Sequence, residues 1–205
     1  MAWRVVALDA LPDEPWRNGG GRTRTIAAQA REAGEPPWDW RISVATIEQN
    51  APFSAFPGVD RASLLLGAGQ IELTAVGEPA VQMHRQGDVV AYRGDSPWQA
   101  EIRRVGPLLS LLNVMTRRGV ATARLQAVRE DTALSGHALA VLAVEGRWRV
   151  VEPWPAVAPR PDDALLLSAG HGAVRDATPT RSIAHCRIER VSTAGWLAAV
   201  TIHLS

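Results

Sequence analysis

Glycine and proline recur along the whole of this 205-residue chain, 17 and 14 times, and the apolar residues between them form short runs. Several runs alternate apolar with polar residues, as in Ile71–Val76 and Arg147–Val151. A period of two is typical of strands with one buried face, and many short strands indicate a sandwich or barrel. The other runs are Arg41–Ile47, Ala62–Leu66, Asp88–Tyr92, Trp98–Arg103, Leu108–Met115, Ala138–Val144, Ala164–Ser168 and Ile183–Val191. The sequence therefore predicts an all-β fold.

Few segments favour helix. Ala27–Ala33 predicts one short helix, which Gly34 and the prolines after it would end. Ser192–Leu197 predicts a turn or a second short helix.

A strand, tight turn, strand pattern occurs twice. The first copy, Ser63–Leu73, is followed by the Gly/Asp-led strand Gly87–Tyr92, and the second, Leu139–Val150, is followed by Asp162–Leu167. This order is that of one cupin half-barrel, so two copies predict two small β-barrels in tandem or one elongated double barrel. We place the N-terminal lobe at residues 1–125 and the C-terminal lobe at residues 126–205, and expect the two to form one compact unit.

Composition excludes several functional classes. A net charge of +1, from 22 basic and 21 acidic residues, argues against a nucleic-acid partner. The chain has neither an apolar run of the roughly 18 residues that a membrane helix needs nor the layout of a signal peptide. We therefore expect a cytoplasmic protein without a membrane partner.

All 22 basic residues are arginine, because the chain has no lysine. This excludes a lysine Schiff base, attachment of pyridoxal phosphate and the lysine of a phosphate-binding P-loop. The single cysteine, Cys186, excludes an internal disulfide and a cysteine zinc site. Its alternating context predicts a buried, unreactive thiol.

The first candidate site motif is the segment 16–23. Three consecutive glycines, Gly19, Gly20 and Gly21, are costly in backbone entropy unless the backbone must turn or approach something closely. Their N–H groups, with Asn18, Thr23 and the preceding Trp16, could hold an anion such as a carboxylate. The alternative is a tight or flexible surface loop.

The second motif is the segment 38–45. In a strand, Asp39, Arg41, Ser43 and Ala45 share one face, and Trp38, Trp40, Ile42 and Val44 share the other. The guanidinium of Arg41 can bind a carboxylate through two hydrogen bonds, and Ser43 can supply a third. The alternative is a solvated outer face with the tryptophans in the core.

The third motif, segment 52–61, holds both phenylalanines of the chain, Phe53 and Phe56, followed by Asp60 and Arg61. Aromatic loop residues beside an arginine can form the walls of a ligand pocket. The alternatives are a loop that covers a barrel end and a structural ion pair that involves Asp60 or Arg61.

A metal site of the usual cupin kind is not expected. The five histidines are scattered and form no His-x-His pair, and Pro97 or Trp98 stands where a metal cupin has its last histidine. Signatures of serine hydrolases, dinucleotide-binding proteins and zinc proteases are absent as well. We predict neither a metal nor a cofactor.

Together the segments 16–23, 40–45, 52–61 and 112–115 resemble the HutD/Ves family, in the family's order, over the first 115 or so residues. The resemblance implies a bicupin, with two RmlC-like β-barrel or jelly-roll lobes and no usual metal. It also implies a link to histidine utilisation or stress, and binding of a small carboxylate such as N-formylglutamate to restrain flux. Asn113 enters the predicted site from the last motif. Leu111 stands where the family usually has Asp.

The favoured hypothesis is a metal-independent carboxylate-binding protein of regulatory type, with Arg41 as the main anion anchor. A homodimer is one option for its assembly. The alternative is a cofactor-free isomerase or hydrolase that acts on an acidic or sugar substrate. An enzyme would need a base within hydrogen-bond reach of the ligand, and the predicted pocket contains one carboxylate, Asp60. A protein-interaction adaptor would instead expose a large apolar patch.

Overall fold

The computed structural model describes residues 3–105, 109–152, 164–177 and 182–205, and in these ranges the chain is nearly all β. The predicted all-β fold is confirmed. The one helical element of the described residues is the 3-10 turn Leu8–Ala10, and none of their helices could cross a membrane. The strands are β1 Arg4–Ala7, β2 Glu14–Pro15, β3 Gly21–Ala30, β4 Trp38–Ile47, β5 Ala51–Pro52, β6 Val59–Leu65, β7 Gly69–Thr74, β8 Val81–Met83, β9 Val89–Arg93, β10 Gln99–Val105, β11 Ser110–Arg117, β12 Ala121–Val128, β13 Thr132–Gly136, β14 Ala138–Glu145, β15 Arg147–Val151, β16 Leu165–Ser168, β17 His171–Arg175, β18 Ala184–Arg190 and β19 Trp196–Leu204.

The chain divides into two compact units. The N-terminal lobe contains Leu11–Leu125 with Ser205, and the C-terminal lobe contains Met1–Ala10 with Gln126–Leu204. From the sequence, the first ten residues were predicted to belong to the N-terminal lobe. In the structure β1 pairs antiparallel with β17, which makes these residues an edge of the C-terminal lobe.

Two antiparallel sheets build the N-terminal lobe. One has the strand order β2-β3-β4-β11-β6-β9 and the other the order β5-β10-β7-β8. The core between them combines Leu65 and Leu111 of the larger sheet with Ile71, Leu73 and Trp98 from the other side. This is the jelly-roll arrangement, in which alternate residues of each strand fill the space between two sheets.

The C-terminal lobe repeats this plan with the sheets β1-β17-β14-β19-β12 and β13-β18-β15-β16, where β12 enters the lobe at Gln126. Its core is almost wholly apolar and includes Trp148, Val141, Ala199 and Cys186. Trp148 is fully buried, and its Nε1 donates to the Glu145 carbonyl at 2.9 Å. The space between these sheets is therefore filled by side chains.

The helix predicted over Ala27–Ala33 is wrong. Residues up to Ala30 extend β3, where Ala27 lies opposite Ile42 and Gln29 opposite Trp40. Pairing with a long central strand overrides the local helix preference of an alanine-rich run, which is a weak determinant. The segment 192–194 forms a bend, as one of its two predicted alternatives required, and β19 begins at Trp196.

Candidate functional site

The inner face of the larger N-terminal sheet carries a cluster of polar side chains. Cross-strand partners in an antiparallel sheet point to the same face, so the pairing register defines rows of neighbours. An apolar row contains Ala45, Leu111 and Leu65. The next row contains Thr25, Ser43, Asn113 and Ser63, and the row after that contains Arg41, Met115, Arg61 and Tyr92. We call these last two rows the polar rows.

Arg61 is the most buried charge in the polar rows, with 6% of its surface exposed. Its Nη1 donates to the Ser54 carbonyl at 3.2 Å, and its guanidinium carbon lies 5.1 Å from the ring centres of both Phe53 and Tyr92. Its buried Nε has no hydrogen-bond partner, and no carboxylate of the described ranges forms an ion pair with it. A buried guanidinium without an anion is costly, which marks this position as a place for one.

A hydrogen-bond chain lies beside Arg61. Ser63 Oγ is 2.6 Å from Asn113 Oδ1 and 3.0 Å from the Tyr92 hydroxyl. All three residues are buried. These hydrogen bonds therefore fix one polar side chain from each of β6, β9 and β11 on the inner face.

Arg41, the predicted anchor, is already engaged. Its Nε and Nη2 both donate to Thr25 Oγ1, at 3.2 and 2.6 Å, and Nη2 lies 3.7 Å from a carboxylate oxygen of Glu14. Arg41 is thus compensated by its own sheet, whereas Arg61 is not. Of the two arginines, Arg61 is therefore the more buried one and the one without an ion pair to a described carboxylate.

Aromatic and apolar side chains border the polar rows. Phe53 packs edge-on against Trp16 at 5.6 Å, and Phe56 lies 5.9 Å from Trp38. Trp38 and Phe56 also pack with Met115, which separates Arg41 from Arg61. Both predicted phenylalanines therefore adjoin the polar rows. Trp38, predicted for the face of β4 opposite Arg41, packs with Met115, the cross-strand partner of Arg41, because the register shifts between Trp40 and Trp38.

The glycine run serves the loop that precedes β3. Gly19 N donates to the Trp16 carbonyl at 3.0 Å, and Gly20 N donates to Asn18 Oδ1 at 3.0 Å. The Asn18 amide in turn donates to the Pro52 carbonyl. Thr23 Oγ1 accepts from the Trp16 indole at 2.8 Å. Asn18, Gly19 and Gly20 are thus engaged within a tight loop, which was the alternative to the anion cradle predicted for these residues and Gly21.

Asp60 does not join the cluster. It neighbours Arg61 in β6 and therefore points to the opposite face of the sheet, where its carboxylate is half-exposed. There Arg118 lies 3.0 Å and Arg93 3.9 Å from its carboxylate. Arg118 also bonds Asp95 at 2.6 Å, and this bond, with that from Gly58 N, lowers the pKa of Asp95 to about 2. This is a surface ion network.

The structure thus brings together Arg41, Ser43, Arg61 and Asn113 of the predicted residues, with Phe53 and Phe56 beside them. It adds Thr25, Ser63 and Tyr92, which the sequence analysis did not single out. A signal for Ser63 was present, because Arg61-Ala62-Ser63 repeats the Arg-x-Ser pattern of Arg41-Ile42-Ser43. Tyr92 is the chain's single tyrosine, but only the pairing of β6 with β9 brings it opposite Arg61.

Two further observations concern the chemistry of the cluster. No group of three or more histidine, cysteine or acidic side chains in the described residues could hold a metal ion. Leu111, which replaces the acidic residue of the resembling family, is fully buried between Ala45 and Leu65. An Asp at this position would lie one row from Asn113 and Ser63, so Leu111 leaves these two residues without a negative charge from β11.

Comparison with known proteins gives one consistent result. The family model described as HutD matches residues 8–184 of the chain. Protein Ves of Citrobacter koseri is 33% identical over 141 residues, which are 68% of this chain and 72% of that protein. The solved structure of HutD from Pseudomonas fluorescens SBW25, in a formate condition, superposes with a TM-score of 0.78 at 21% identity and covers 100% of both chains. A cupin 2 conserved barrel domain protein from Leptotrichia buccalis superposes with a TM-score of 0.54 at 12% identity, covering 98% of this chain and 96% of that one.

Proposed function

This chain belongs to the HutD family, and from that premise we propose that its N-terminal lobe binds a small carboxylate on the polar rows of the inner face. The observation that carries the proposal is Arg61, a buried guanidinium with an unpartnered Nε and no ion pair with a described carboxylate. A carboxylate would satisfy the guanidinium and remove the cost of burying an uncompensated charge.

The surroundings of Arg61 favour a small, planar anion. Phe53 and Tyr92 bring their rings to the guanidinium, which lowers the local polarity. Electrostatic attraction is stronger in such a site than in water. Arg41, two strands away in the same row, places a second guanidinium at the border of the site, where it also contacts Thr25 and Glu14. A ligand with two carboxylates, such as N-formylglutamate, suits this arrangement.

We assign the binding a regulatory role in histidine utilisation, in the cytoplasm. The support is the HutD name of the family and of the similar solved structure, whose formate condition involves the smallest carboxylate. A cofactor-free enzyme is less well supported, because the polar rows themselves contain no histidine or acidic residue that could act as a base, and the carboxylate beside them, that of Glu14, is engaged by Thr25 and Arg41. An adaptor role has little support, because the large apolar residues exposed in the described ranges, Val5, Val76, Val89, Leu166, Ile183 and Val191, lie on different segments.

Calorimetric titration with N-formyl-L-glutamate tests the proposal. Arg61→Ala should weaken binding by about 30- to 150-fold, the loss of one charge-assisted pair. Arg61→Lys should recover little of this loss, because lysine lacks the planar fork. Arg41→Ala should have a smaller effect, since Thr25 and Glu14 already engage that side chain. Arg93→Ala, an exposed arginine of the same sheet, is the matched control.

Thermal unfolding of each free protein must accompany the titrations. Unchanged affinity in a folded Arg61→Ala variant would contradict the assignment of the site, and a wild type that binds no carboxylate would contradict the function. Proton NMR of the ligand during incubation separates a binding protein from an enzyme. An unchanged ligand spectrum is the expected result, and product signals would favour the isomerase or hydrolase.

A further inference from the structure

We infer that the hydrogen-bond chain from Tyr92 through Ser63 fixes the Asn113 amide with Nδ2 toward the ligand, so that the site accepts a carboxylate and rejects the isosteric amide. The inference rests on the proposed carboxylate site and adds a basis for its specificity. Tyr92 and Ser63 are positioning residues, which act through Asn113 rather than by contact with the ligand.

The donor and acceptor of each hydrogen bond between Tyr92, Ser63 and Asn113 follow from the number of available protons. A serine hydroxyl has one proton to donate. Ser63 Oγ lies 2.6 Å from Asn113 Oδ1, an acceptor, so Ser63 donates its proton there. The Tyr92 hydroxyl, 3.0 Å away on the other side of Ser63 Oγ, must then be the donor of its bond. Protons therefore point from Tyr92 to Ser63 and from Ser63 to Asn113.

Burial enforces this arrangement. Ser63 is fully buried, and Tyr92 and Asn113 are both less than one-tenth exposed. Water cannot readily replace a missing partner at such positions, so each buried polar atom depends on the others. If the Asn113 amide turned over, its Nδ2 would become a donor to Ser63. Ser63 Oγ would then be an acceptor for Nδ2, and one of the two hydroxyl protons, that of Ser63 or that of Tyr92, would lose its acceptor within the chain of hydrogen bonds.

A ligand at this site would therefore face hydrogen-bond donors. Asn113 Oδ1 accepts from Ser63, so the Nδ2 group of Asn113 remains as a donor. The structure shows no hydrogen bond from this Nδ2 group to another described residue. Asn113 lies one row from Arg61 on the inner face, where the Arg61 Nε also lacks a partner. A carboxylate brings only acceptors to these groups. A primary amide brings two N–H groups, and one of them would face another donor.

The experiment compares N-formyl-L-glutamate with its two monoamides, each of which replaces one carboxylate by an amide of the same shape. Affinities are measured for wild type, Tyr92→Phe and Ser63→Ala. Ser110→Ala is the matched control, because Ser110 is a buried serine of β11 three positions from Asn113 and points to the opposite face. In wild type, we expect at least one monoamide to bind about 100-fold more weakly than the diacid.

Without the Tyr92 hydroxyl or the Ser63 hydroxyl, the Asn113 amide can turn and present Oδ1 to the N–H group of an amide. The preference for the diacid should therefore fall about tenfold in both variants and stay unchanged in Ser110→Ala. An unchanged preference in folded Tyr92→Phe and Ser63→Ala would overturn the inference. Equal weakening of all three ligands would also overturn it, because that result describes a merely structural role.

A measurement without ligand separates this inference from the proposed function. In ¹⁵N-labelled free protein, the Asn113 side-chain signal is assigned by its loss in Asn113→Asp. The inferred orientation leaves both Nδ2 protons exchangeable with water. One protected Nδ2 proton would indicate a bond to the buried Ser63 Oγ and would overturn the inference, even if the carboxylate binds. If no ligand binds but both protons exchange, the proposed function fails and the amide orientation stands.

Discussion

At the residue scale, the cluster depends on which polar groups find a partner inside the protein. Arg41 and Arg61 occur in the same Arg-x-Ser pattern and lie in the same row, on either side of Met115. Thr25 and Glu14 compensate the charge of Arg41, whereas Arg61 contacts aromatic rings and donates to one carbonyl oxygen. Because a buried charge is costly unless it is paired, this difference in neighbours distinguishes a structural arginine from a candidate anion anchor.

Cys186 gives a residue-scale prediction about pH. Burial raises the pKa of its thiol from 9.0 to about 12, with a smaller contribution from Glu152. Above pH 9 the unfolded chain loses the thiol proton while the folded protein keeps it. The contribution of Cys186 to stability should therefore be complete below pH 9 and be lost as the pH rises toward 12.

Urea unfolding of wild type and Cys186→Ala at several pH values checks this prediction. The difference in free energy of unfolding between the two proteins should shrink above pH 9. The other titrating groups are common to both chains, so they largely cancel in the difference. Rapid reaction of the folded wild type with a thiol reagent at pH 8 would contradict the buried position of the thiol.

At the element scale, close contact with neighbouring segments explains two of the three consecutive glycines, Gly20 and Gly21. A Cβ on Gly20 would lie 2.2 Å from the Ala51 Cβ, and a Cβ on Gly21 would lie 2.2 Å from the Thr46 carbonyl oxygen. The loop before β3 thus packs directly on β4 and β5. Glycine is required there because no other residue permits this approach.

Gly20→Ala should destabilise the protein by about 1–3 kcal/mol, the usual cost of forcing an extra carbon into a packed site. Ala51→Gly in the same chain should restore part of this loss, since it removes the clashing atom. Gly21→Ala should destabilise the protein at least as much. No side-chain change at Ala51 should restore this loss, because the added Cβ clashes with the backbone carbonyl of Thr46. Thermal unfolding of the single and double variants gives the coupling. Additive effects of Gly20→Ala and Ala51→Gly would contradict the proposed contact.

At the scale of the whole molecule, the two lobes share a plan but differ in what fills them. The N-terminal lobe keeps polar side chains on its inner face, while Val141, Ala173 and Ala199 contribute to an apolar core in the C-terminal lobe. The C-terminal lobe is also discontinuous in sequence, because β1 completes one of its sheets. The candidate site thus lies in the N-terminal lobe, and the C-terminal lobe combines residues 1–10 with residues 126–204.

Deletion of residues 1–7 should expose the edge of β17. In the structure Val6 lies opposite Gly172 and Arg4 opposite Val174, so the β17 amides that face β1 would lose their partners. Hydrogen exchange measured by mass spectrometry should become faster in the peptide containing His171–Arg175. The peptide containing β4 serves as the internal control and should be unchanged. Unaltered exchange in β17 would contradict the pairing of the two strands.

The sequence by itself determined the fold class and much of the strand content. Alternation of apolar and polar residues over Arg41–Ile47, Ile71–Val76 and Arg147–Val151 predicted strands, because burial of one face imposes a period of two. Order and spacing of four motifs indicated the family, which the family model and Protein Ves confirm. These properties are local or nearly so, and a linear pattern can express them.

The tertiary structure decided the rest. It made β3 a strand against the helix preference of its alanines, because the register with β4 stabilises an extended chain there. It placed Asp60 outside and Arg61 inside, and it joined Tyr92, Ser63 and Asn113 from three strands. Arg41 and Arg61 are equivalent in sequence, and only the residues brought opposite them by pairing decide which guanidinium is compensated. Such differences depend on contacts between distant segments, so the local pattern around each arginine does not contain them.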